Sequence, residues 1–415
     1  MFKHGDDDVP DYVKDKPTDE EIAVEHKNLK IRYYRSVISF WILGVCNNFG
    51  YVAMLTGAEN IIQENTEKKN DTLITSRECT IQSTGIVLLS QLIPATLITF
   101  IVPFIPMLVH CRMVSCLAIT IIGFLLVGFT KNSLSIALLG VALVSISCSV
   151  GEMTLLQYSA YFSRNTLSTW SSGTGGAGVI GALSYTLGVE KGYRDTMLGM
   201  IAIPIIMGVA FWVILPIPTE KDKQSVLVQH NWNKNEVTAP CDTLKKKSHL
   251  IPKVSYKYII PLGLVYLFEY FINQGMYELV KVDSNIVSRN MQYQWLQVAY
   301  QVGVFISRSS VNFLYIKYIW ALSVLQFINV VIFTTTAIYW YIWNFWILFV
   351  MGLEEGLIGG AAYVNTYVRI GREEEEEDKQ FMNSFTCVGN GVGIMSAGFL
   401  AILAHNLICK LPPPA

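Results

Sequence analysis

The feature that most constrains this chain is a series of apolar stretches, each long enough to cross a lipid bilayer. A helix needs about 20 apolar residues to span the roughly 30 Å of hydrocarbon in a membrane. Of the 415 residues, 52% are hydrophobic and only 15% are charged, against about 25% charged residues in a soluble domain. The sequence therefore predicts an all-α polytopic membrane protein that lies in the lipid bilayer.

We expect 11 transmembrane helices. They cover residues 36–57, 83–109, 113–130, 134–162, 170–189, 196–216, 257–280, 292–313, 318–339, 342–368 and 381–408. Lys and Arg are more frequent in the segments that this count assigns to the cytosol, which agrees with the positive-inside rule. The N-terminus is therefore predicted to be cytosolic, and the C-terminus is predicted to lie on the opposite side.

The apolar stretches repeat in order, which predicts two related halves. Asn47-Asn48 in the first stretch corresponds to Asn273-Gln274 in the seventh, and Glu152 in the fourth corresponds to Glu354 in the tenth. Six helices separate the partners, so the two copies have the same orientation, as in two-halved transporters. The predicted fold is a parallel repeat of 6+5 helices, similar to the major facilitator fold.

Composition divides the chain into four segments. Residues 1–35 are predicted to be a disordered cytosolic tail, because their first part is polar and acidic and lacks the apolar core of a signal peptide. Residues 36–216 are predicted to form an N-terminal six-helix bundle, and residues 257–415 a C-terminal five-helix bundle. Residues 217–256, rich in Lys, are predicted to be a cytosolic linker between the bundles.

Polar side chains inside the apolar stretches indicate a candidate substrate cavity. Such groups are costly in lipid and usually face the interior of a helix bundle. The candidates are Glu152, Glu269, Asn273, Gln274, Gln301, Arg308, Glu355, Asn47 and Asn48. The alternative is a structural role, in which hydrogen bonds and ion pairs to Arg308 join the helices. For Glu152 and Glu269 the two interpretations are equally favoured, whereas Asn47, Asn48 and Asn365 favour the structural role.

A G-x-G-x-x-G pattern begins at Gly173, but its context argues against a dinucleotide site. Such a site needs a preceding strand in a βαβ unit, and here the pattern lies between apolar stretches. We interpret the small residues instead as helix-packing positions. These positions are Gly173, Ala177, Gly181, Gly352, Gly356 and Gly360. For an anionic substrate, the positive partners expected are Arg308 and the N-terminal turn of the fifth stretch, around Ser171 and Ser172.

No pattern predicts an enzyme, a cofactor or a metal site. The 8 cysteines are scattered without C-x-x-C spacing and the 6 histidines are isolated, so neither a disulfide scaffold nor a zinc site is indicated. The H-E-x-x-H, G-x-S-x-G and Walker sequences are absent. A net charge of −1 gives no indication of nucleic-acid binding. The single N-glycosylation sequon begins at Asn70, in a loop predicted to be non-cytosolic.

Five stretches of the chain resemble the battenin family of membrane proteins. They are WILGVCNNFGYV (41–52), WSSGTGGAGVIGALSY (170–185), FEYFINQG (268–275), YQVGVFISRSS (300–310) and EGLIGGAAYVNT (355–366). The resemblance implies a protein of the lysosomal and late-endosomal membrane, related in fold to the major facilitators. It also implies a role in glycerophosphodiester export, in lysosomal pH and basic amino-acid balance, and in endosome–Golgi trafficking.

Two functions follow as hypotheses. The first is a transporter that works by alternating access and exports a small polar metabolite, with the glycerophosphodiester class implied by the resemblance. The second is a membrane scaffold that recruits trafficking proteins through the tail and the linker and transports nothing. Gln91 and Thr99 stand where the family carries Asp and Lys, which argues against proton coupling at that site.

Overall fold

Helices make up the regular structure of this protein. The structure, a computed structural model, describes residues 19–66, 79, 82–101, 108–159, 161–162, 164–218, 250–310 and 315–412. All regular elements within these ranges are helical. Asn70, the first 18 residues of the predicted tail and residues 219–249 of the predicted linker lie outside the described residues.

The described residues of the N-terminal half form eight α-helices, and a π turn at Ala210–Ile214 continues the last of them. The helices are α1 (Asp19–Thr56), α2 (Ala58–Asn65), α3 (Gly85–Ile101), α4 (Val109–Phe129), α5 (Leu134–Ser159), α6 (Arg164–Val189), α7 (Tyr193–Gly199) and α8 (Ala202–Val209). The long apolar runs of the sequence form the longer helices, because a backbone in lipid must satisfy its polar groups internally.

The C-terminal half begins with one interrupted helix. It consists of α9 (Ile251–Val254), a π turn (Ser255–Ile259), α10 (Ile260–Phe271) and a second π turn (Ile272–Met276). Four longer helices follow, the first of them after a short 3₁₀ segment. They are α11 (Gln292–Ser309), α12 (Ile319–Tyr339), α13 (Phe345–Glu373) and α14 (Glu376–Ile408).

The same helix pairings occur in both halves. In the N-terminal half α1 packs on α6, α3 on α5 and α4 on α5. The corresponding pairs in the C-terminal half are α10 with α14, α11 with α13 and α12 with α13. The halves meet through α6 with α11 and through α3 with α14, which are equivalent pairs under the repeat. The packing pattern therefore has the two-fold internal symmetry of a two-halved transporter.

Seven of the described helical segments are long and apolar enough to cross a membrane. Helices α3, α6, α10 and α11 are not among them, although each coincides with a predicted span. Helix α3 is apolar but shorter, with a qualifying segment of Gly85–Thr99. Gly, Ser and Thr are frequent in α6, and Gln and Tyr are frequent in α11, so their mean hydropathy is lower. The protein is thus a multi-pass helical membrane protein, while the count of 11 crossings stays a prediction.

The hydrophobic core is shared between the halves at one end of the molecule and divided at the other. One buried cluster contains Phe49 and Tyr185 of the N-terminal half together with Tyr277 and Tyr293 of the C-terminal half. Two further clusters each belong to a single half, one around Phe40 and the other around Tyr258. We call the end with the shared cluster the closed end and the opposite end the open end.

The first helix begins earlier than the sequence analysis predicted. Residues 19–35, assigned there to a disordered tail, belong to α1. Glu, Ala, Lys and Leu in this segment favour helix, and the membrane helix that follows supplies a nucleus from which the helix can extend. Similarly, residues 251–256, assigned to the linker, are already helical.

One disulfide is present that the spacing of the cysteines did not indicate. Cys79 and Cys409 are joined across a sequence separation of 330 residues. Cys79 precedes α3 in the N-terminal half, and Cys409 follows α14 in the C-terminal half, so the bond links the two halves at the closed end. Sequence spacing could not indicate this pair, because 330 residues separate the two cysteines.

Candidate functional site

Polar contacts between the two halves seal the closed end. Ser83 Oγ and the Thr84 amide donate to Glu278, with distances of 2.8 and 3.0 Å. Lys281 forms an ion pair with the buried Glu59. Each of these contacts joins the region before α3 or the region after α1 to the region after α10. We call this set of non-covalent contacts the closed-end gate; the disulfide lies beside it and is not counted in it.

The gate also contains a histidine. His405 Nδ1 lies 3.1 Å from Glu278 Oε1, and the two side chains are 2% and 1% exposed. The sequence analysis did not single out Glu59, Lys281 or His405. Glu278 lies near the end of its predicted span, a position typical of water-exposed residues, but it is buried because α3 and α14 close over it.

Arg308 of α11 contacts aromatic side chains of the C-terminal half. Its guanidinium lies 4.6 Å from the centre of the Tyr363 ring and 3.5 Å from the Tyr266 hydroxyl. Its Nε has no hydrogen-bond partner. Within the described residues no carboxylate forms an ion pair with it. The structural alternative of a Glu–Arg308 ion pair is therefore not found in this part of the chain.

Arg308 also interacts with the N-terminal half. Tyr51 of α1 interacts electrostatically with Arg308 and with Glu152 of α5. Glu152 is exposed, while Arg308 and Tyr51 are half-buried. These three side chains come from both halves and remain partly accessible, so they mark a polar region where the halves face each other.

Two buried carboxylates lie in the interior of the C-terminal half. Glu269 on α10 accepts a hydrogen bond from Tyr300, and Glu355 on α13 accepts one from Tyr277. The remaining oxygen of each carboxylate has no hydrogen-bond partner. The tyrosines were not singled out from the sequence. A signal for them was available, since phenols at several positions within apolar stretches indicate buried hydroxyls that need polar partners.

Four predicted cavity residues contribute in other ways. Asn47 Nδ2 donates to the Cys148 carbonyl over 3.0 Å, and Cys148 Sγ donates to Asn48 Oδ1 over 3.1 Å. These contacts join α1 to α5 within one half. Gln274 accepts a hydrogen bond of 3.1 Å from Tyr293 at the closed end. Gln301 packs on α6, where a Cβ at Gly178 would lie 2.3 Å from its Oε1.

Asn273 differs from the other amides. Its side chain is 1% exposed, and neither its Nδ2 nor its Oδ1 has a hydrogen-bond partner. It follows Glu269 by one helical turn, at the start of the second π turn. A buried amide with both polar atoms unsatisfied is rare and requires an explanation.

The predicted packing positions lie at close helix contacts. A Cβ at Gly173 would lie 2.4 Å from the Trp41 carbonyl of α1, and one at Gly181 would lie 3.2 Å from Val52; Ala177 is fully buried. On α13, added Cβ atoms would approach α11 or Tyr277. The distances are 3.0 Å at Gly352, 2.1 Å at Gly356 and 2.1 Å at Gly360.

The second candidate anion site is corrected by the structure. Ser171 and Ser172 were expected in the first turn of a helix, with free amides that attract an anion. Helix α6 begins at Arg164, seven residues earlier, so these amides belong to the helix interior and are used in its hydrogen bonds. Arg308 is left as the candidate positive partner.

Comparison with known proteins relates the whole chain to one family. The CLN3 protein family matches residues 38–245 and 228–411. Battenin of Canis lupus familiaris is 34% identical over 403 residues, which cover 91% of this chain and 92% of that protein. Protein btn-1 of Neurospora crassa is 31% identical over 425 residues, with 90% and 88% covered.

Solved structures of transporters share the fold. A bacterial homologue of the human lysosomal transporter Spinster, inward-facing and unoccupied, has a TM-score of 0.59 at 13% identity and covers 89% of this chain and 81% of that one. A D-xylose–proton symporter has a TM-score of 0.58 at 11% identity, with 92% and 98% covered. At these identities the likeness concerns the fold alone.

Proposed function

The chain belongs to the CLN3 protein family and has the fold of membrane transporters, and from this premise we propose that it carries small anionic metabolites of the glycerophosphodiester class by alternating access. One observation carries the proposal. Arg308 is half-buried, interacts electrostatically with Tyr51 of the facing half, and has no carboxylate partner among the described residues. A half-buried guanidinium without a counter-ion favours an anionic ligand, because planar N–H groups bind phosphate oxygens in pairs.

The proposed cycle uses the two ends in turn. The closed-end gate must separate and the open end must close when the halves rock about the cavity. Tyr363, stacked on Arg308, would orient the guanidinium towards the solute. Tyr51 of the facing half interacts electrostatically with both Arg308 and Glu152. Tyr51 and Glu152 would therefore contact the hydroxyl-bearing part of the solute.

We propose that the closed end is luminal and the open end cytosolic. This orientation follows from the distribution of Lys and Arg in the sequence. The cross-half disulfide at the closed end supports it, because disulfides persist on the lumenal side of cellular membranes and are rare towards the cytosol. The proposed location is the lysosomal and late-endosomal membrane, with solute export as the source of effects on lysosomal pH and basic amino-acid balance.

Transport by the purified protein in proteoliposomes tests the proposal. The probe is radiolabelled glycerophosphoglycerol, whose only charge is its phosphodiester. We expect saturable uptake, and we expect Arg308→Lys to lower kcat/KM by about 10- to 100-fold, because an ammonium group cannot form the paired contacts.

Arg372→Lys is the matched control. Arg372 also lies over a tyrosine, with its guanidinium 4.4 Å from the Tyr315 ring centre, but it is exposed near the end of α13. This substitution should leave uptake unchanged. No saturable uptake by a folded wild-type protein, or equal loss in both variants, would contradict the proposal.

The alternative function, a trafficking scaffold without transport, predicts no flux at all. The segments it would use are the tail and the linker, and residues 1–18 and 219–249 of these lie outside the described part of the chain. The cavity and its unpaired arginine have no role in that alternative. We therefore favour the carrier.

A further inference from the structure

Ionising both of the buried carboxylates of the C-terminal half would be energetically unfavourable. Glu269 and Glu355 are 2% and 0% exposed. Each accepts one tyrosine hydrogen bond and leaves its second oxygen, Oε2 of Glu269 and Oε1 of Glu355, without a partner. An ionised carboxylate with an unsatisfied buried oxygen costs several kcal/mol, which a bound proton or cation removes.

The two groups lie close to each other. A Cβ at Gly359 would lie 2.3 Å from Glu269 Oε2, and Gly359 follows Glu355 by one turn on the same face of α13. Asn273, with both side-chain polar atoms unsatisfied, follows Glu269 by one turn on α10. Like charges at such proximity disfavour double ionisation. Both carboxylates thus lie at the contact between α10 and α13, with Asn273 one turn further along α10, and each of the three has an unsatisfied oxygen.

The surrounding charges distinguish the two carboxylates. Glu269 accepts its hydrogen bond from Tyr300 of α11, and Arg308 of the same helix reaches the Tyr266 hydroxyl about one turn before Glu269 on α10. Glu355 accepts its hydrogen bond from Tyr277, and no described Lys or Arg forms an ion pair with it. Glu269 is therefore the carboxylate on the Arg308 side of this contact.

Among the described side chains, the contacts of α10 with α12 and α14 at this level are apolar. Phe327 of α12 contacts Phe268, and Gly393 of α14 contacts Gly263. The phenols of Tyr266 and Tyr270 on α10 itself also interact with Arg308, and Tyr51 of α1 and Tyr363 of α13 complete the set around it. The next ionisable pair on this side, Glu278 with His405, belongs to the closed-end gate.

We propose that Glu269 is the proton-coupling site of this carrier and that Arg308 links its protonation to anion binding. The inference rests on the proposed function. Without solute, the guanidinium stabilises the Glu269 carboxylate. When a phosphodiester binds Arg308, its negative charge offsets the guanidinium, and Glu269 takes one proton from water on the solute's side. One anion and one proton then cross together, and both are released on the other side while Glu355 stays protonated.

Linkage makes this coupling reciprocal. If anion binding favours protonation of Glu269, protonation of Glu269 strengthens anion binding by the same factor, about 5- to 150-fold for typical coupling between sites. An acidic compartment on the closed side would then load the carrier, and a neutral compartment on the open side would unload it. In this proposal Arg308 binds the substrate, and Glu269 binds the proton whose gradient drives transport.

Proteoliposomes that contain a pH-sensitive dye test the inference. Counterflow of radiolabelled glycerophosphoglycerol at equal pH reports carriage of the solute, and the dye reports protons. For the wild-type protein we expect counterflow and about one proton per molecule in net uptake. Counterflow with a ratio near zero overturns proton coupling and leaves the proposed function intact, whereas absence of counterflow by folded protein overturns both.

Two substitutions locate the site. Glu269→Gln should lower the proton-to-solute ratio to near zero, and a ratio that stays near one would exclude Glu269. Gly359→Ala introduces a methyl group that displaces the Glu269 carboxyl without changing any charge, so it should alter the pH dependence of uptake. Gly371→Ala on the same helix is the control, because nothing lies within 4 Å of its added Cβ. Equal pH profiles for these two glycine variants would contradict the assignment.

Discussion

The two halves share their packing pattern but differ in one helix and in their chemistry. In the N-terminal half α8 packs on both α1 and α4. The C-terminal half has no counterpart to α8 among its described helices, and there α10 packs directly on α12. Within the predicted spans the N-terminal half carries one charged residue, Glu152. The C-terminal half carries four carboxylates, Glu269, Glu278, Glu354 and Glu355, and two cations, Arg308 and, at the first position of a span, Lys257.

This difference suggests a division of labour between the halves. Small residues dominate the contact of α1 with α6, where Gly44 and Gly173 bring the two backbones together. The C-terminal half has an equally close contact of α11 with α13, but buried tyrosine–glutamate pairs lie beside it. We infer that the N-terminal half provides a scaffold and one wall of the cavity, while the C-terminal half binds the solute and responds to its charge.

The largest effect is expected where the close backbone contact of the C-terminal half is disturbed. Gly356→Ala places a Cβ 2.1 Å from the Tyr300 carbonyl, and backbone cannot yield as a side chain can. We expect a loss of about 3 kcal/mol or more, because overpacking forces helices apart. Thermal unfolding in detergent measures it. Gly391→Ala, with nothing within 4 Å, should change little, and similar melting temperatures for both variants would contradict the packing account.

Removing the disulfide, which joins the two halves at the closed end, should lower the stability of the protein. Cys79→Ser should lower stability by about 2–4 kcal/mol, because the bond closes a very long loop between the halves. Cys409→Ser and the double variant should lose the same amount, since each removes the same bond. The melting temperatures of the three variants check this. Additive losses in the double variant would indicate that the two cysteines are not paired.

The closed-end gate should depend on Glu278. Glu278→Gln removes the charge that holds Ser83, the Thr84 amide and His405. Hydrogen bonds to a charged group are worth about 1.5–3 kcal/mol, so the population with this end open should rise by roughly 10- to 150-fold. Labelling of a Ser83→Cys variant by a membrane-impermeant maleimide reports the opening. Equal labelling rates in the two backgrounds would show that Glu278 does not hold the gate.

The smallest effect concerns a cluster of charges at the open end. Burial alone would raise the pKa of the Glu374 carboxyl, but hydrogen bonds from Lys253, Lys257 and Tyr258 outweigh it and lower the pKa to about 2 from 4.5. A lowered carboxyl pKa gives stability that is complete above the unfolded value and is lost as the pH falls through the folded one. Glu374→Gln should therefore lower the melting temperature by a few degrees at pH 7 and hardly at all near pH 2.

An unchanged difference between wild type and Glu374→Gln from pH 7 to pH 2 would contradict this assignment. Glu375→Gln, the exposed neighbour, is the control. The cluster lies within the C-terminal half, since Lys253, Lys257 and Glu374 all belong to it. Its loss should therefore destabilise that half and leave the closed-end gate unaffected.

The sequence alone predicted the helices and their order well, because each is coded by a local apolar run. The extent of α1 was missed, since residues 19–35 are polar, and only continuity with the membrane helix shows that they are helical. The site was predicted in part. Arg308, Glu269 and Glu355 could be selected because charges are rare in lipid.

What the sequence could not show is which distant residues meet. The pairing of Cys79 with Cys409, of Glu59 with Lys281 and of Glu278 with His405 depends on how the two halves dock. The role of Tyr300 can be recognised only once its hydrogen bond to the Glu269 carboxylate is known. Local patterns therefore identified the rare polar groups, and the tertiary structure was needed to identify their partners.

The central claim is that the two ends open in alternation around Arg308, and paired distance measurements test it most directly. Spin labels at Glu64→Cys and Asn285→Cys report the closed end, and labels at Ser168→Cys and Ser309→Cys report the open end, each in a background with the exposed Cys111 replaced by Ser. On addition of glycerophosphoglycerol we expect a population in which the first distance grows and the second shrinks, and Arg308→Lys should reduce it. Distances at both ends that stay the same with and without the solute would contradict the account.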